Sequence, residues 1–175
     1  MPEPIIIVNY NSEWPRKYEK TAAKILGAIG DKGVAVEHIG STAVPGLGAK
    51  PIIDIMVAVG LISDAHECIL PLRSIGYEYT PYPDFPQRLF FRDGSMGAGP
   101  HHLHVTELTS SFWEEKLLFR DFLRAHAEVA HEYFILKTQL AVRYGADREK
   151  YEPYTEAKTS FIESVLARAR VENQS

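Results

Sequence analysis

Apolar positions along the chain follow two rhythms. Short β-branched runs at Ile5–Val8, Val34–Ile39 and Ile52–Val59 predict strands, and Tyr77–Tyr79, Arg88–Arg92 and His101–Val105 add further ones. Elsewhere the spacing turns helical. Trp14, Tyr18, Ala22, Ile25, Leu26 and Ile29 fall on one stripe. Ser12 is expected to cap this helix, with Pro15 in its first turn and Gly27, Gly30 and Gly33 helping to end it. A second helix is expected from Ser63 or Asp64 to Ile75, kinked or divided at Pro71 and stopped at Gly76. Three more are predicted over 112–126, 128–144 and 154–170. Gly40–Pro51 reads as a loop with room for one helical turn, Pro81–Pro86 as a rigid loop, and Asp93–Pro100 as a hairpin connection. With no internal repeat, this order predicts an α+β (α/β mixed) fold. A mixed sheet is flanked by helices, a helical segment closes the chain, and one domain spans 1–175.

Strand alternation places the polar exceptions. Ile53, Ile55, Val57 and Val59 share one face, so Asp54 and Met56 share the other, which is expected to border a cleft. His102 and His104 alternate with Leu103 and Val105 and share a face, while His101 and Glu107 point to the opposite one. Arg88 and Arg92 likewise share a face with Phe90.

Composition narrows the class. Hydrophobic residues make up 45% of the chain and charged residues 24%, as in an ordinary globular protein. The net charge of -4 gives no sign of non-specific nucleic-acid binding, although a local basic patch stays open. A single cysteine, Cys68, forms no internal disulfide and reads as a buried thiol. No leader pattern follows Met1, and no apolar run approaches the roughly 20 residues that span a bilayer. A cytoplasmic location without membrane partners is the expectation.

The chemistry concentrates between His38 and Asp54. Gly40 lets the backbone approach a ligand closely, Ser41 and Thr42 offer hydroxyls and amides to phosphate oxygens, and Asp54 can hold a metal ion bridging the same phosphates. The plainer reading of Asp54 is a carboxylate that caps a turn or pairs with Lys50. Lys50, Arg88 and Arg92 are candidate anion ligands, and ordinary solvated charge is their alternative. Asp54, His102 and His104 form a candidate metal set, suited to Zn, Mn or Fe more than Mg. Local hydrogen bonding, or phosphate binding when protonated, is the other reading of the histidines. Lys137 and Arg143 lie on a late helix whose apolar stripe is explained by packing, and Asp147-Arg148 reads as a helix start.

Several stretches resemble the GrpB family: His38-Ile-Gly-Ser-Thr-Ala-Val-Pro-Gly-Leu47, Lys50-Pro-Ile-Ile-Asp-Ile55, Phe91-Arg-Asp-Gly94, His101-His-Leu-His-Val105 and Arg120-Asp-Phe-Leu-Arg-Ala-His126. Gly40-Ser41 with Asp54 on the next strand is similar to the nucleotidyltransferase superfamily of the DNA polymerase β type. That resemblance implies a nucleotidyltransferase-like mixed sheet. It also implies two acids on the strand after Gly-Ser and a third on a later strand, together holding divalent metal, Mg or Mn. Here the second acid falls on Met56, a soft thioether. GrpB-like domains fused to dephospho-CoA kinase in some bacteria point toward nucleotide or coenzyme metabolism. The expected function is therefore a metal-dependent nucleotidyltransferase-like protein binding a nucleotide or other phosphate-bearing ligand, with Asp54, Ser41 and His104 carrying any catalysis. An inert ligand-binding or regulatory module, and a phosphoester hydrolase using Asp54, His102 and His104, are the alternatives.

Overall fold

The computed structural model describes residues 5–94, 99–144 and 151–174. After helix α1 (Trp14–Ile29) come β1 (Ala35–Ile39), β2 (Ile53–Val59), α2 (Ile62–Glu67), α3 (Ile69–Ser74), β3 (Tyr77–Thr80), β4 (Arg88–Asp93) and β5 (His101–Glu107). Four helices follow: α4 (Ser111–Ala125), α5 (Ala127–Tyr144), α6 (Tyr151–Glu156) and α7 (Thr159–Glu172). The strands form one mixed sheet in the order β1-β2-β5-β4-β3. β2 and β5 run parallel and the other neighbours antiparallel.

Alternation decides what each face of the sheet packs on. Ile53, Ile55, Val57 and Val59 join Leu89, Phe91, Leu103 and Val105 under α1, α2 and α3. Each such side chain, fully buried, contributes about 1.5–3 kcal/mol. On the opposite face, Met56 and Ala58 pack with Ile39 against Trp113 of α4. A third cluster joins Val44 and Leu47, from the loop after β1, to Phe122, Leu123, Val129, Tyr133 and Val165 of α4, α5 and α7. The glycine-rich loop is thus wedged between the sheet and the C-terminal helices.

Several local expectations change for identifiable reasons. Residues 5–8 make a single bridge rather than a strand, because Val8 pairs in both directions with Ala49 (2.9 Å each) of a loop. α1 begins at Trp14, and Asn11, not Ser12, accepts the Glu13 N–H at 2.9 Å. The expected helix to Ile75 is divided after Glu67, whose carbonyl faces Pro71, a residue with no N–H to donate. The helix expected over 154–170 starts earlier and divides into α6 and α7 at Ala157–Lys158. Residues Met1–Pro4, the hairpin tip Ser95–Ala98, Gly145 and the Asp147-Arg148 pair lie outside the described residues. Among the described residues no helix is long and apolar enough to cross a membrane.

Candidate functional site

Ile39, Asp54, His102 and Arg92 are successive cross-strand partners along one row of the sheet. Asp54 Oδ1 stands 3.3 Å from His102 Nδ1, and the two side chains are 30% and 19% exposed. Met56, one step further along the same face, is 0% exposed beneath Trp113. The cleft expected at Asp54 and Met56 is therefore open at Asp54 alone.

Gly40 sits against this carboxylate. Its φ is +71°, and a Cβ there would lie 2.6 Å from Asp54 Oδ2. The glycine makes room for the Asp54 carboxylate. Ser41 then opens a short 3-10 turn, Ser41–Ala43.

The loop is fixed by hydrogen bonds from several elements. Thr42 Oγ1 donates to Ile52 O (3.3 Å), so it accepts from His38 Nε2 (2.9 Å), which places the imidazole proton on Nε2. Burial pulls the His38 pKa down to about 4, and the ring, stacked on Tyr18, is neutral near pH 7. Arg120 donates to Glu37 (2.5 Å) and His38 O (3.0 Å), and Arg124 to Ala43 O (2.9 Å). Thr42 is 2% exposed, with its hydroxyl spent inside the loop. It does not offer that hydroxyl to a ligand, contrary to expectation.

Cationic side chains surround Asp54. Lys137 of α5, 3% exposed, donates to Ser41 Oγ (2.9 Å) and Gly48 O (2.7 Å). Burial, then repulsion from Lys158, lowers its pKa to about 7. Tyr133, one turn earlier, is buried as well, and burial pushes its phenol well up. Lys50 and Lys158 both stand over the Tyr154 ring, at 4.7 and 4.3 Å. Burial lowers each to about 8, while Asp54 acts in the opposite direction on both. Lys116 of α4 is lowered by burial in the same way and feels Asp54 likewise. Lysines from the loop, α4 and the α6–α7 turn thus feel one carboxylate, and Lys137 of α5 joins them through Ser41, a local positive centre in a chain of net charge -4.

Of these lysines, the sequence pointed to Lys50 alone. Lys137 carried a readable signal, since it follows Tyr133 by four and precedes Leu140 by three on the buried stripe of α5. A lysine in an apolar stripe marks a buried amine with a partner. Lys158 reaches the site through the α6–α7 division and Lys116 through the docking of α4, and neither has a periodic signature.

The remaining candidates separate. His104 lies opposite Met56, not Asp54. Its ring packs between Phe90 (5.0 Å) and Phe112 (5.4 Å), and Nδ1 accepts from Arg88 at 3.1 Å. Burial and then Arg88 hold it neutral. His101 and Glu107 occupy the other face, as alternation requires. His101 meets Asp93 (2.5 Å) and Thr21 (3.2 Å), and Glu107 accepts from Ile62 N at 2.7 Å. Two open surface hollows, of about 520 and 590 Å³, lie against α1 and between α4 and α7, and Asp54 lines neither.

The GrpB family model, described as GrpB protein, matches residues 4–168. The chain belongs to the GrpB family. It is 40% identical over 159 residues to a UPF0157 protein of Pseudomonas aeruginosa, covering 89% of this chain and 64% of that one. Against UPF0157 protein YqkA of Bacillus subtilis the identity is 31%, covering 94% and 47%. The chain thus spans less than two thirds of the length of these two relatives. The crystal structure of conserved protein GrpB from Enterococcus faecalis superposes with a TM-score of 0.86 at 31% identity, covering 97% and 100%. The Cid1 poly(U) polymerase, solved as an H336N mutant bound to MgATP, gives a TM-score of 0.54 at 15% identity over 81% of this chain and 46% of that one. The fold is accordingly nucleotidyltransferase-like. A dephospho-CoA kinase of Mycolicibacterium paratuberculosis also matches, 25% identical over 85% of this chain and 42% of that one.

The donor chemistry decides what that fold can hold here. A two-metal centre needs clustered carboxylates. This face offers Asp54 with His102 beside it, and the next place is the buried Met56. Among the described residues no three His, Cys, Asp or Glu side chains gather as metal ligands. The expected set of Asp54, His102 and His104 is not assembled, because register sets His104 beside Met56 and Arg88. Among the described residues the donors do not fit a two-metal centre.

Proposed function

We propose that the open part of the sheet at Asp54, beside Ser41, binds a nucleotide or another phosphate-bearing small molecule. The observation that carries this reading is the hydrogen bond of the buried Lys137 to Ser41 of the Gly40-Ser41 loop, with Lys50, Lys116 and Lys158 in the field of Asp54 beside it. Burial strips these amines of water and lowers their pKa values, and phosphate oxygens between them would restore the lost interactions as charge-assisted hydrogen bonds. Ser41, already held by Lys137, lies in reach of the same oxygens. Asp54 is then placed to orient a hydroxyl or a water at the phosphate, with His102 behind it. The nucleotidyltransferase-like fold supports the substrate class. The fully buried Met56 favours the version of this reading in which ligand is held without two-metal nucleotidyl transfer.

Calorimetric titration with pyrophosphate and a nucleoside triphosphate, with and without a chelator, tests the reading. Wild type should bind at least one of them, and Lys137→Met should weaken that binding by about tenfold or more. No binding by wild type, or an unchanged affinity in the variant, would overturn it.

A further inference from the structure

Arg88 and Arg92 lack the carboxylate that the buried Arg120 and the more exposed Arg124 and Arg170 hold. Arg120 pairs with Glu37 and Asp121, Arg124 with Asp121, and Arg170 with Glu115. Among the described residues neither Arg88 nor Arg92 comes within ion-pair distance of a carboxylate. The Nε of each is buried with no hydrogen-bond partner. Arg88 spends one terminal nitrogen on the neutral His104 (3.1 Å), and Arg92 makes only a long contact to the Tyr82 hydroxyl (3.4 Å).

Rings wall Arg88, and one of them also flanks Arg92. The Arg88 guanidinium lies 5.5, 5.2, 5.5 and 5.1 Å from the centroids of Tyr82, Phe85, Phe90 and Phe112, and that of Arg92 lies 5.3 Å from Phe90. Ring faces satisfy the flat side of a guanidinium and leave its N–H edge unused. That edge is the fork that takes carboxylate or phosphate. A buried guanidinium Nε–H without an acceptor is costly, so the missing acceptor is a ligand group.

We infer that Arg88 and Arg92 form a second oxyanion subsite, distinct from the lysine pocket, which takes a carboxylate or phosphate borne on a flat ring. Tyr82 and Phe85, 39% and 46% exposed, form the rim against which that ring lies. Arg92 is the cross-strand partner of His102, which partners Asp54. The subsite therefore starts two strand spacings, about 10 Å, from Asp54. It rests on its own unpaired cations and stands whether or not the lysine pocket binds phosphate. If both are filled, the two groups face each other across Asp54 and His102.

The test titrates benzoate, phenyl phosphate and inorganic phosphate into the full chain, following the arginine Nε–H resonances. A ring-borne probe should bind better than inorganic phosphate, and the tighter of the two ring probes identifies the headgroup as carboxylate or phosphate. Arg88→Met and Arg92→Met should each weaken it by about tenfold or more. Arg92→Lys, which keeps charge but loses the fork, should weaken it without lowering the melting temperature. Lys137→Met, on a separate element, should change it by less than about twofold. Should Arg88→Met fail to fold, the two Arg92 variants decide. The inference is overturned if neither ring probe binds, if the arginine variants bind as wild type does, or if Lys137→Met abolishes binding. Pyrophosphate titration of the same variants reads the lysine pocket separately.

Discussion

The two faces of β2 differ by one residue of register and by what covers them. On one side Ile53, Ile55, Val57 and Val59 are at most 1% exposed, because α1, α2 and α3 cover the strand along its whole length. On the other, α4 covers Met56 and Ala58 and stops short of Asp54. The candidate site is the part of the sheet that α4 leaves open. Its walls come from the loop after β1 and from lysines on the helices. One strand thus serves both the core and the site, and the ends of the covering helices set the boundary between them.

The largest effect on this boundary is expected from Met56→Asp. A carboxylate at a fully buried position has no partner and should cost about 3–5 kcal/mol at pH 7. Burial raises the folded-state pKa above the unfolded value of about 3.9, so the ionisation penalty is absent below that pH, grows as the pH rises toward the folded value and is constant above it. Urea unfolding at pH 4 and pH 7 measures it. A variant as stable as wild type at pH 7 would show that Met56 borders the cleft after all.

Next comes Ile55→Ala on the covered face. It should cost about 2–5 kcal/mol and leave ligand affinity of the folded protein unchanged. Gly40→Ala is expected to be smaller in stability, about 1–3 kcal/mol from the positive φ and the close approach to Asp54. Unlike Ile55→Ala it should also weaken ligand binding, because Asp54 must shift. Thermal melting with parallel calorimetry separates the two variants, and an unchanged affinity in Gly40→Ala would detach the loop from the site. The smallest effect is in pH. Lys137 titrates at about 7, and Lys50 and Lys158 at about 8, all below the ordinary lysine value. The empty pocket loses positive charge as pH rises from 7 to 9, so phosphate affinity should fall over that window. A phosphomonoester, with its second pKa near 6, is already fully ionised there. Affinity that is flat or rises with pH would show that the lysines do not hold the phosphate.

Period-two alternation alone made the sheet faces legible. It separated Asp54 from its apolar neighbours, His102 from His101, and the arginines of β4 from Leu89 and Phe91. It could not choose between His102 and His104, because they share a face and only the β2–β5 register sets His102 against Asp54. Pro71 announced the break between α2 and α3 through its missing N–H. The division of α6 from α7, which brings Lys158 to the site, left no comparable mark. The long loop motif was conspicuous, but two of its residues, Val44 and Leu47, serve the helical core, and Thr42 serves the loop itself. Long-range packing, not local pattern, assembled the lysines.

Phosphate uptake by the lysine-ringed pocket at Asp54 can be read from the heat of nucleoside triphosphate binding at pH 8, measured in two buffers of different ionisation enthalpy. An anion seated among partly deprotonated lysines raises their pKa values, so binding should take up protons, and Lys137→Met should reduce that uptake. Binding with no proton uptake, or with proton release, would mean that the phosphate sits elsewhere.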